Sequence, residues 1–166
     1  MAASDSQRAV AVSRQLRRVH DQLRDQLTRL RAELGRTEFD ATGLPAHCLA
    51  FCSALTAHHA GEDGDLFSAL VAARPDLAPA IGKLVEDHTA IAAILLRVRT
   101  LAAAAGTAPA EDLAGLRGEL DGLAAIAESH FRYEERALSA ALDADMPDAG
   151  WSRAALTLSE PQHPSS

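Results

Sequence analysis

Apolar residues recur at three- and four-residue steps in four separate stretches of this 166-residue chain, and that spacing commits it to amphipathic helices packed side by side. In the first stretch, about Asp5–Arg36, the series is Val12, Leu16, Val19, Leu23, Leu27, Leu30 and Leu34; Ser4 or Asp5 can cap its start and Gly35 its end. The second runs from about Pro45 to Ala73 along Phe51, Leu55, His58, Glu62, Leu66 and Leu70, with Gly61 and Gly64 weakening the helix beside the polar pair. The third, about Pro79–Ala105, aligns Ile81, Leu84, His88, Ile91, Leu95 and Val98. The fourth, about Ala110–Leu142, aligns Leu113, Leu116, Leu120, Leu123, Ala127, His130, Glu134 and Leu138.

Between them lie Thr37–Pro45, with Asp40 and Thr42 as caps, the proline-bearing turn Arg74–Ala80, and Gly106–Pro109, with Thr107 as a cap. Aromatic residues are 4% of the chain, and alanine and leucine supply most of its apolar surface, which favours helices over strands. The expected fold is all-α: one up-down-up-down four-helix bundle over residues 1–145, followed by a short irregular C-terminal tail, 146–166, that docks through Trp151 and its apolar neighbours up to Leu158.

The polar residues on these apolar stripes are the second constraint. His58 and Glu62 stand four apart, as do His130 and Glu134 in SHFRYEERAL, so each pair projects from one face of its helix about one turn apart. His20 and His88 occupy stripe positions on the other two helices. Burying four imidazoles and two carboxylates in an Ala/Leu core costs several kcal/mol for each unpaired charge. A bound metal removes that penalty. Imidazole with carboxylate suits iron, manganese or zinc, and six ligands exceed one tetrahedral zinc, so two ions sharing bridging carboxylates fit better.

The formal charge of −7 argues against non-specific binding to nucleic acid or an anionic membrane. No apolar run reaches a membrane span, and MAASDSQRAV lacks a secretory hydrophobic segment, so a cytoplasmic location is expected. Cys48 and Cys52 stand four apart on one helix, where a strain-free disulfide is hard to make. They read as free thiols filling the core, with exchange against a redox partner as the sharper alternative.

The series His20, His58-x3-Glu62, His88 and His130-x3-Glu134 resembles the hemerythrin-like, or HHE cation-binding, domain. The phrases HHAGEDGDLF and HFRYEERAL are similar to its second and fourth helix signatures, and the likeness covers about Val10–Leu142. The resemblance implies a non-haem, carboxylate-bridged di-iron centre, with His20, His58, His88 and His130 as terminal ligands and Glu62 and Glu134 bridging. A small diatomic ligand or peroxide is the expected partner, while an electron donor and the choice between monomer and homodimer stay open.

The chain departs from the oxygen-carrying members in one respect. They have a second histidine one turn from the helix-three ligand, whereas the places either side of His88 hold Leu84 and Ala92. That leaves iron with more room for water, peroxide or nitric oxide. Four readings therefore stay open: a peroxide-decomposing enzyme, an iron- or oxygen-sensing regulatory protein, a biosynthetic di-iron oxygenase, and a zinc-loaded structural relic. His59, about 100° round the helix from His58, reads as a supporting or surface group, with ligation in place of His58 as the lesser alternative. Glu86, Asp87 and Glu135 read as solvated, and Tyr133 as packing that can reach a bridging glutamate.

Overall fold

The computed structural model describes residues 2–35, 43–105 and 110–144. Helix α1 spans Ala2–Leu34, and the Gly35 N–H donates back to the carbonyls of Arg31 and Ala32 as the helix ends. It starts earlier than expected, so Ser4 and Asp5 lie inside it. Helix α2, Leu44–Gly61, has Pro45 in its first turn, where the missing N–H costs nothing. A single π turn, Glu62–Leu66, joins it to α3, Phe67–Ala73. After a 3-10 turn at Pro75–Leu77 come α4, Ala78–Ala104, and α5, Ala110–Ala144. The caps expected of Asp40, Thr42 and Thr107, and the docking of Trp151, lie outside the described residues.

With α2, the π turn and α3 forming one rod, there are four rods among the described residues. α1 packs on α5, α5 on α4, α4 on α2, and α2 on α1, which closes the ring. Two apolar clusters fix the directions. The larger takes Val19 to Leu34 from α1, Leu44 to Leu55 from α2, Ile91 to Ala102 from α4 and Leu116 to Phe131 from α5. The smaller takes Leu16, then Leu66, Phe67 and Leu70, then Ile81 and Leu84, then Leu138, Ala141 and Leu142. Each rod therefore runs from one cluster to the other in alternation, up-down-up-down as expected.

Between the clusters every rod presents a polar residue. His20, His58, Glu62, His88, His130 and Glu134 are all buried, and so is His59. Steps of three and four place each on the stripe its apolar neighbours follow, so packing of the leucines carries the polar groups inward. Full burial of one such leucine stabilises by about 1.5–3 kcal/mol. The layer is thus imposed by the apolar columns above and below it.

Candidate metal centre

His58 and Glu62 belong to the last turn of α2 and the start of the π turn, and the Glu62 N–H donates to both the His58 and His59 carbonyls. The Phe67 N–H then reaches back to the Glu62 carbonyl, five residues away. The reason is in the spacing. His58, Glu62, Leu66 and Leu70 advance by fours, and in a regular α-helix three such steps drift by about 120°. One wide turn absorbs about 100° of that drift and keeps Leu66 and Leu70 buried. The run of fours was a readable sign of the π turn.

Within the layer the two glutamates lie between histidines of different rods. Glu62 Oε1 stands 3.0 Å from His58 Nε2, and Oε2 stands 3.2 Å from His88 Nε2. Glu134 Oε2 lies 3.4 Å from His130 Nε2 and 3.7 Å from His20 Nε2. Ligand atoms of His20, His58 and Glu62 all fall within 4.8 Å of one another, as do those of His59, Glu62, His88 and His130. Glu62 is common to both groups.

Three histidines have their outer nitrogen held by a carboxylate. His20 Nδ1 donates to Glu135 Oε1 at 2.8 Å, His88 Nδ1 to Asp63 Oδ1 at 2.8 Å, and His130 Nδ1 to Asp87 Oδ2 at 3.3 Å. An ionised carboxylate only accepts, so Nδ1 carries the proton and Nε2 turns its lone pair inward. Glu135 is itself anchored by Arg24, whose Nη1 donates to Oε1 at 3.1 Å. Asp87 and Glu135, read from the sequence as solvated, are 22% and 19% exposed and orient the layer from its rim. Glu86 is exposed, as expected.

The electrostatics describe a site short of positive charge. For Glu134, burial and then the neighbouring Glu62 carboxylate push the pKa well above the usual range. For Glu62, burial pulls upward but is outweighed by the imidazoles of His58 and His88, and the pKa falls well below. Burial, reinforced by the charge of His88, lowers His130 to about 4. Burial works against the charge on His88 too, but Glu62 and Asp63 overcome it and raise that pKa.

A cation fits these residues. All four oxygens of Glu62 and Glu134 are buried and accept no hydrogen bond of normal geometry among the described residues; Nε2 of His20 and of His59 is likewise without one. His88 Nε2 and His130 Nε2 lie 3.1 Å apart, where two lone pairs need a shared proton or a metal between them. Orphaned buried acceptors cost about 1–3 kcal/mol each, and a divalent ion with oxygen and nitrogen ligands satisfies them together.

His59 is the residue the sequence reading undervalued. It is buried, its ring lies 3.8 Å from that of His88 at an interplanar angle of 13°, and its ligand atom belongs to the second group. Cys48 and Cys52 are free thiols in the larger apolar cluster; burial and then the neighbouring Cys52 push Cys48 up to about 12. Such a thiol is a poor exchange partner. Tyr133 packs against the smaller cluster with the Lys83 ammonium 4.7 Å over its ring.

A four-helix bundle with a buried transverse layer of imidazoles and carboxylates defines a helical protein built to hold cations. The family model for the hemerythrin HHE cation-binding domain matches residues 11–146, and the chain belongs to that family, as the histidine and glutamate series implied. Comparison with curated proteins and with solved structures yields no match. No helix among the described residues is long and apolar enough to cross a membrane.

Proposed function

We propose that the chain holds a carboxylate-bridged pair of iron ions and uses them on oxygen or its reactive relatives, decomposing hydrogen peroxide to water and oxygen. His20 and His58 would hold one ion and His88 and His130 the other, with Glu62 and Glu134 as the carboxylates shared between them. The observation that carries this reading is that each glutamate lies between an imidazole of one group and an imidazole of the other. Bound iron would supply the change of oxidation state and the coordination position that a small oxidant needs.

The chain's own residues do the rest. Glu135, Asp63 and Asp87 hold the Nδ1 protons, which fixes the tautomers and makes Nε2 a better donor. The two apolar clusters close the layer from above and below, keeping bulk water from the buried carboxylates. Glu134 is the carboxyl with the higher proton affinity and so the place where a proton rests when positive charge leaves the layer.

A second reading is favoured by the same burial. A layer of carboxylates and imidazoles across the whole core makes folding depend on what fills it, which suits an iron or oxygen sensor read by a partner. The deciding experiment is metal content per chain on anaerobically purified protein, then the absorbance spectrum and oxygen release after air and peroxide. Two irons with oxygen evolution support the enzyme. Two irons with no turnover and a large metal-dependent rise in Tm support the sensor. One zinc, or no metal, overturns both.

A further inference from the structure

We infer that His59 is a ligand of the metal held by His88 and His130, so that α2 supplies the nitrogen that α4 lacks. This rests on the two-metal reading above and adds a residue to it. The departure at Leu84 and Ala92 leaves α4 with His88 alone; Leu84 is a core side chain and Ala92 is exposed. Without another donor, that metal has one imidazole from α4, one from α5 and the shared carboxylates.

Helix geometry supplies the donor. His58 precedes Glu62 by four residues and His59 precedes it by three, so in a helix they flank the glutamate at about 40° on one side and 60° on the other. Glu62 therefore looks toward both groups with one histidine of its own helix beside each. The ligand atoms follow this division: His58 falls with His20, and His59 with His88 and His130. A metal with ligands at about 2.0–2.2 Å holds opposing ligand atoms about 4.0–4.4 Å apart, so the widest pair of a cluster within 4.8 Å needs to close by less than about 1 Å.

The alternative, a histidine used only as core filling, fits poorly. His59 Nε2 is buried and has no hydrogen-bond partner among the described residues. Its ring is stacked on His88 at 3.8 Å, which holds the two ligands side by side.

The test is anaerobic titration of metal-free full-length protein with Fe(II), reading stoichiometry and each binding constant, on wild type, His59→Phe and His59→Ala. His59→Phe keeps a ring against His88 and removes the nitrogens. The expected result is two irons in the wild type and, in both variants, one iron bound as before and the second weakened by more than about 100-fold, beyond the roughly 10–100-fold of a supporting residue. Millimolar imidazole should restore the second iron to His59→Ala, where a structural role would leave it unmoved. Two irons with unchanged constants in folded His59→Phe would overturn the assignment of His59 alone. Fewer than two in the wild type would overturn the two-metal reading and this assignment with it.

Discussion

Among the described residues, the bundle is unequal on the two sides of its histidine layer. On one side twenty buried residues form a continuous apolar column drawn from all four rods. On the other, nine buried residues among those described form a plug, and its second rod is a π turn and a seven-residue helix instead of one unbroken helix. The large side is stable on ordinary hydrophobic terms. Among the described residues the small side has less buried apolar area, and the layer that joins the two is stable only when its carboxylates are compensated. Fold and layer can therefore be perturbed separately, the large end by its leucines and the layer by its carboxylates.

This contrast is sharpest at Glu62, common to both ligand groups. Glu62→Ala should fall from two bound irons to none while keeping its helical circular dichroism, because the large column is untouched. Global unfolding of that variant would show that the two ends are not separable. Next comes Cys48 in the large column. With its pKa raised from 9.0 to about 12, its thiolate fraction at pH 8 is about a thousandfold below that of an ordinary thiol. Alkylation of the folded protein should be slower by at least that factor and become normal in denaturant. The sign for stability follows. The folded state keeps the Cys48 proton where the unfolded chain loses it, so this contribution is intact below pH 9 and fades as pH rises toward 12. A urea midpoint that climbs over that range would contradict it.

Leu120, fully buried in the large column, gives the third comparison. Leu120→Ala should cost about 2–5 kcal/mol in denaturant unfolding yet bind the same number of irons. Loss of iron from a folded Leu120→Ala protein would mean that the column tunes the layer directly. The smallest effect belongs to Glu135, which holds the outer nitrogen of His20, Nδ1, from the rim of the layer. Glu135→Ala should weaken iron binding by roughly 10–100-fold and still reach two irons at saturation. If stoichiometry falls instead, Glu135 is a ligand and not a support.

Much of this was legible in the sequence because one pattern encodes both fold and layer. His20, His58, His88 and His130 sit on the same three- and four-residue steps as the leucines around them, so assigning the helices also assigned the inward polar set. His59 stands in the sequence only as the lesser alternative to His58, because periodicity puts it about 100° round the helix, and its burial against His88 depends on a neighbouring rod. Asp63, Asp87 and Glu135 were not legible as partners, since their contacts reach other rods, 25, 43 and 115 residues away in the chain. Helix periodicity gives the face a residue occupies but not the neighbour it meets there. The π turn was encoded only as a drift that becomes visible over three successive fours.

That wide turn has a meaning in the language of insertions and deletions. A regular helix from His58 would carry its seam with one residue fewer between Glu62 and Leu66, so the second rod is one codon longer than its core demands. Removing Gly64, beside which a Cβ would meet open space, should leave Leu66 and Leu70 facing inward and the bundle intact. The surplus residue is exposed, and the segment it widens is the one that carries Glu62 and Asp63.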